Sequence, residues 1–311
     1  MISNEATKRV EALPTYTRNI PKSQEVGSQY KAQTDWKFIE VLSFYLGGVG
    51  TGLYLLSQVF DYTIGLIVGY LLVVVGKNGA HLLASSKPFR AIRVLSKPGT
   101  SWISRGAYGI FIFAVLGLVD IGMRMGIGSV DNAALAFVVT VLTACAAFFI
   151  MAYVGFVFAE ARNIGLWNSP FIPAIVICYS FCMGYALLLV LAPFTQQQFD
   201  FSAISLQFLL TLAITVLMIF ILLTVVKRMT KSAEQGAKML LSGKLSTTFL
   251  VGVVLAGLLI PICATGYYLA NAATASGSIL SIAGLLTLLG GLLFEMCLIY
   301  AGVYRPIVDA E

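Results

Sequence analysis

Polar and apolar positions along this chain segregate into long blocks. About eight runs of predominantly apolar residues occur, over 40–60, 64–84, 105–124, 132–158, 170–192, 202–226, 246–270 and 278–303. A helix needs about 20 apolar residues to cross the hydrocarbon layer of a bilayer, so each run predicts one transmembrane helix. The expected fold is an all-α, polytopic integral membrane protein, with its helices packed into bundles. Residues 1–35 break the pattern, being polar with no long apolar stretch. A cleavable signal peptide needs an apolar core close behind its charged start, and here apolar sequence begins only near Val41. This segment is expected to be an extramembrane arm, either a loose tail or an arm laid over a partner subunit. Residues 36–304 form the expected transmembrane domain and 305–311 a short tail.

Within the apolar runs, Pro173 falls in the first turn of the fifth, where proline is tolerated, and Pro261 lies inside the seventh, where it predicts a kink. The first run contains LGGVGTG at 46–52. No strand precedes it and no suitably placed acidic residue follows, so it is not a nucleotide fingerprint. Close helix packing or the close approach of a flat ligand are the two readings.

Composition narrows the chemistry. Residues are 59% hydrophobic and only 11% charged, against roughly 25% charged in a soluble domain. The bilayer is therefore the expected partner of most of the surface, and nucleic acid is not. The five cysteines, Cys145, Cys178, Cys182, Cys263 and Cys297, lie in apolar stretches without a CxxC pair, which argues against an iron–sulfur cluster held by this chain alone. His81 is the single histidine, which excludes a haem held by two histidines and a histidine-rich metal centre. Electrons, if handled here, need an organic carrier or a partner's cofactors.

Basic residues divide sharply between the two sides of the predicted bundle. On the side holding the N-terminal arm (side A) stand 18 of them, and only Arg124 stands on the other (side B), with Lys77 inside the second helix. Without the loop between the second and third helices the division is still 13 against 1. The positive-inside rule makes side A, with both termini, cytoplasmic.

Ionisable residues within spans are costly and mark sites or pathways. Glu40 and Ser43 share a face of the first helix, and with His81 and Tyr153 they fall in the side-A half of the membrane. A quinone needs a polar contact at each carbonyl and a route for two protons, which Glu40, Ser43, His81 and Tyr153 supply; interhelical hydrogen bonds are the alternative use. Asp120 and Arg124, four apart, predict an ion pair near side B. Lys77 and Glu295 are deep, and either neutralise each other or act, with Asp120 and Glu160, as steps of a proton route.

The connection HLLASSKPFRAIRVLSKPGTSWISRG, 81–106, resembles the NrfD family, the membrane subunits of polysulfide-reductase type. The matching positions are His81, Pro88, Phe89, Arg90, Arg93, Pro98, Ser101, Trp102, Ser104, Arg105 and Gly106. The glycine-rich first helix, MAYVGFVFAEARNIGLWNSPFIP at 151–173 and GGLLFEMCLIYAGVYRP near the end are similar too, so the resemblance covers nearly all of the chain after about residue 36. It departs from the family at Glu40 and Ser43, where Asn and His are described, and at Phe294-Glu295, where many relatives have Leu-Arg. The resemblance implies a subunit without haem or metal, not catalytic alone, in the inner membrane of a prokaryote. It implies that the chain binds menaquinone or ubiquinone and exchanges electrons with a ferredoxin-like iron–sulfur subunit, itself joined to a molybdopterin or other catalytic subunit. Arg90, Arg93, Lys97, Trp102 and Arg105 would then dock that partner. The alternatives are a proton-translocating subunit of such a complex and a secondary transporter, a class that shows internal repeats not evident here.

Overall fold

The computed structural model describes residues 30–84, 93–127 and 132–306. Among these, eight helices are long and apolar enough to cross a membrane. They are α1 (Phe38–Val59), α2 (Thr63–Ala84), α3 (Trp102–Arg124), α4 (Ala133–Glu160), α5 (Phe171–Phe194), α6 (Phe201–Arg228), α8 (Thr248–Ala270) and α9 (Ser278–Tyr300). A shorter helix, α7 (Lys231–Leu241), lies between α6 and α8. Each spanning helix coincides with a predicted apolar run to within a few residues. Helices suit this solvent because they satisfy their own backbone groups where no water is available. The outer surface is correspondingly apolar, with Phe111, Leu118, Phe137 and Phe220 exposed.

The bundle is organised around α1 and α5, the two spans most enclosed by the others. α1 packs on α2, α4, α5 and α9, and the LGGVGTG stretch is what lets it do so. A Cβ added at Gly52 would lie 2.1 Å from the Ser180 carbonyl oxygen of α5, and one at Gly184 would lie 2.4 Å from Gly52 itself. The two backbones touch, and no larger residue fits between them. The glycines thus face neighbouring helices, which settles their use as packing.

Two spans contain stretches of π-helical winding. Leu72–Lys77 of α2 and Thr248–Leu259 of α8 are wound as wider π-helix. In α8 the α-helical winding resumes at Ile260, with Pro261 in its first turn. Proline has no N–H and its ring crowds the carbonyl four residues back, so the break expected at Pro261 takes the form of a change in winding.

Side A is fastened by short elements with no counterpart among the predicted ones. β1 (Lys31–Ala32) pairs antiparallel with β2 (Val303–Tyr304), Lys31 opposite Tyr304 and Ala32 opposite Val303. Beside them the Gln33 amide donates to the Ile299 carbonyl at 3.1 Å, and the Tyr304 hydroxyl donates to Asp35 at 2.6 Å. The indole of Trp167, in the α4–α5 loop, donates to the Leu298 carbonyl at 2.8 Å. α7 starts at Thr230, whose hydroxyl accepts from the Ala233 N–H at 3.1 Å. Its inner face buries Ser232, Ala233, Gly236, Ala237 and Leu240. The Ser232 hydroxyl accepts from the Gly165 N–H at 3.0 Å and donates to the Val303 carbonyl. The segments before α1 and after α9 therefore lie on one side of the bundle, as eight crossings require.

Candidate functional site

A cavity of about 530 Å³ opens in the side-A half of the bundle between α1, α2, α3 and α4. Trp36, just before α1, and Glu40 and Phe44 in its first turns line it, with Lys77, Asn78, His81 and Ala84 from the end of α2. Ile103, Ala107, Ile110, Phe111 and Ala114 of α3, Tyr153 and Val157 of α4, and Val94 complete the wall. Most of this lining is apolar, with five polar side chains converging on it, the usual character of a small-molecule site. Ile103 and Phe111 are also among the exposed apolar residues, so the α3 wall borders the lipid.

Lys77 is the most unusual lining residue. It closes the π-helical stretch of α2 and is only 1% exposed. Its methylene stem runs across Gly47 of α1, where an added Cβ would sit 2.9 Å from its Cδ. Its ammonium lies over the Tyr153 ring, 5.3 Å from the centroid, a contact worth about 2 kcal/mol when desolvated. Tyr153 is positioned in turn by Gly106 of α3, where a Cβ would come within 2.3 Å of the ring. Two of the chain's glycines thus shape the cavity, one for a cation and one for the ring beneath it.

Of the four residues predicted to touch a ligand, Glu40, His81 and Tyr153 line this one cavity. The Glu40 carboxylate also accepts from the Lys37 N–H at 2.9 Å, capping the first turn of α1. Ser43 does not line the cavity. Its buried hydroxyl donates to the Lys77 carbonyl at 3.0 Å and ties α1 to α2. Sequence reasoning missed Trp36 and Asn78 and placed Lys77 only on a proton route. Trp36 had a signal, an indole one residue before the basic start of the first span; it sits against Phe44, Phe158 and Trp167, with ring centroids 5.1 to 5.4 Å away.

The SWISRG motif builds the loop beside the cavity. Ser101 caps α3 by accepting from the Ser104 N–H at 3.4 Å, and the Ser104 hydroxyl donates to the Val94 carbonyl. Arg105 donates to the carbonyls of Pro98 at 2.8 Å and Gly99 at 2.7 Å. Its guanidinium lies 4.6 Å from the Trp102 ring, which stacks on Phe156 of α4 at 4.4 Å. Trp102 and Arg105 are thereby committed to holding the loop, while Arg93 and Lys97 are exposed on side A. Arg90, with Pro88 and Phe89, lies outside the described residues.

The other predicted charges are scattered. Asp120 lies near side B, where it accepts from Tyr54 at 2.7 Å, Thr140 at 2.8 Å, Gln58 at 2.9 Å and Arg124 at 3.4 Å. The expected Asp120–Arg124 ion pair is present, and Arg124 also pairs with Asp61. Asp61 sits in the tight α1–α2 turn with φ of 51°, a left-handed conformation that Asp tolerates better than most residues. Glu160 is exposed at the end of α4. Glu295 is 2% exposed in α9, and its Oε2 has no hydrogen-bond partner among the described residues. Its neighbour Phe294 stacks on Tyr179 of α5 at 4.2 Å. Lys77 and Glu295 form no ion pair, because Lys77 is turned to Tyr153 of α4; their mutual neutralisation is not how this bundle accommodates them. No group of three or more His, Cys, Asp or Glu side chains able to hold a metal ion occurs among the described residues.

The family model described as "Polysulphide reductase, NrfD" matches residues 28–306, nearly the whole chain. The search of curated proteins returned no match. Proteins of the matched family are quinone-associated membrane subunits of polysulfide and molybdopterin oxidoreductase complexes, and typically pair with iron–sulfur and molybdopterin subunits. With eight apolar helices and a match over all of them, this multi-pass membrane protein belongs to the NrfD family.

Proposed function

We propose that the side-A cavity binds a quinone or quinol, and that the chain is the membrane anchor through which a partner iron–sulfur subunit exchanges electrons with the quinone pool. The observation that carries this reading is the convergence of Lys77, His81, Tyr153 and Glu40 on one largely apolar cavity that borders lipid. A menaquinone or ubiquinone brings a two-electron carrier with two carbonyl oxygens that gain protons on reduction. The Lys77 ammonium and the Tyr153 hydroxyl suit a carbonyl at the inner end. His81 and Glu40 stand nearer side A, where they exchange protons with water. Trp36, Phe44 and Phe111 supply apolar contacts for a flat ring.

The basic side-A face supports a position for the partner. Arg93 and Lys97 project from the loop beside the cavity, and the sequence adds Arg90 and the basic residues of the 1–35 arm. An iron–sulfur subunit seated there places its cluster next to the quinone. The charge division of 18 against 1 supports a cytoplasmic side A, in a prokaryotic inner membrane with both termini inside.

In the assembled complex, Glu40→Gln and Tyr153→Phe are each expected to lower quinol-dependent electron transfer by about 100-fold, the scale of one proton-transfer group. Unchanged rate and quinone affinity in both variants defeat the site. Buried Glu295, with an oxygen unpartnered among the described residues, favours a second reading in which the same complex moves protons across the membrane. Glu295→Gln should then abolish proton translocation while electron transfer continues; unchanged coupling rules that reading out.

A further inference from the structure

A second polar cavity of about 570 Å³ lies on side A, away from the quinone cavity, where the end of α6 meets α7. Lys227, Arg228, Lys231 and Lys238 line it, with Glu234 as its one carboxylate. Glu234 is already committed: it accepts from Lys238 at 2.7 Å, and that bond holds its carboxyl below the usual carboxylate range. Lys227, Arg228 and Lys231 make no ion pair among the described residues. The cavity therefore presents three uncompensated cations, and the positive end of α7 adds to the same field.

Its position says what kind of anion fits. α6 is a lipid-facing span, with Leu217, Phe220 and Val225 exposed on the way to the cavity. At the cavity itself Met229 and Leu241 are exposed apolar residues. α7 buries one face against the side-A clasp and turns Lys231, Glu234, Lys238 and Leu241 outward, so its charges are presented beside the exposed end of α6. Cations set at headgroup depth above an apolar helix surface match a molecule with a phosphate at one end and acyl chains at the other. We infer that the α6–α7 cavity is a binding site for the phosphate headgroup of an anionic phospholipid, whose chains run down the exposed face of α6. This site is independent of the quinone reading, since it shares no residue with that cavity.

The test is titration of phosphatidylglycerol and phosphatidylcholine onto the full-length protein, purified with its accompanying subunits, read by native mass spectrometry. Wild type should bind phosphatidylglycerol in preference. The triple variant Lys227→Gln/Arg228→Gln/Lys231→Gln should weaken that binding about 100-fold, because each cation near a membrane surface contributes roughly fivefold. The charge-keeping exchange Lys227→Arg/Arg228→Lys should retain it, and Arg162→Gln elsewhere on side A, exposed and outside both cavities, should leave it unchanged. Excess inorganic phosphate should not displace the lipid. Equal binding of the two lipids, an unaffected triple variant, or displacement by inorganic phosphate each overturns the assignment. Loss of an accompanying subunit from the triple variant with lipid binding intact also overturns it, and makes the cavity a protein interface.

Discussion

Asp120 and Glu295 are both carboxylates sunk into membrane helices, 2% exposed in each case, and the bundle surrounds them in opposite ways. Asp120 has donors from Tyr54, Gln58, Thr140 and Arg124, while Glu295 keeps one oxygen with no partner among the described residues. A buried charge is tolerated when its donors are provided, and is expensive otherwise. The difference separates a carboxylate that ties helices together from a carboxyl group whose second oxygen has no partner among the described residues. Lys77 falls with Glu295 in this respect: it has an aromatic face beneath it and no counter-ion among the described residues.

The sharpest way to break this contrast is Asp120→Ala. Three buried or half-buried donors would lose their acceptor and Arg124 its inner partner, at a cost of roughly 3–5 kcal/mol, seen as a lower unfolding temperature in detergent. An unaffected protein would mean that the network is not structural. Lys77→Met comes next and acts on function: folding should persist, because the stem is apolar and its charge unpaired, whereas quinol-dependent electron transfer should fall by about 100-fold. A variant that fails to assemble would place Lys77 with Asp120 instead. Glu295→Leu should stabilise the fold by about 1–3 kcal/mol, since it removes a buried group with an unsatisfied oxygen; a lower unfolding temperature would show that Glu295 has a partner after all. The smallest effect belongs to an exposed carboxylate. Among the described residues Asp35 accepts a side-chain hydrogen bond from Tyr304 alone, so Tyr304→Phe should cost about 1 kcal/mol or less. Burial and then Asp35 push the Tyr304 phenol up to about 12. A proton held more tightly in the folded state means that this bond contributes fully below the ordinary tyrosine value of 10.0 and fades as the pH rises towards 12. In Tyr304→Phe that alkaline loss should be absent.

All eight spans were legible because a bilayer imposes a length and a polarity that packing cannot override. The candidate cavity was legible in outline for the same reason: an ionisable side chain in an apolar run stands out, and Glu40, His81 and Tyr153 meet where their depth placed them. Depth alone does not give direction around a helix, so Ser43, one turn from Glu40, proved to face the neighbouring backbone. Lys77 was seen as a deep charge, but the ring and the glycine that receive it come from other helices. β1 and β2 were invisible, since two residues carry no alternation. α7 did leave a signature in Thr230, in Ala233, Ala237 and Leu240 at helical spacing, and in the Glu234–Lys238 pair. Its short length and its two lysines, with Lys227, Arg228 and Lys244 on either side, made it look like charge on a loop.

The clasp of β1 on β2 has a consequence for how such a protein is made. A chain is synthesised from its N-terminus, so Lys31 and Ala32 emerge long before Val303 and Tyr304 exist to pair with them. The side-A face is consequently the last part of the molecule to be completed. A chain truncated before Val303 therefore lacks the β1–β2 pairing and leaves this face open.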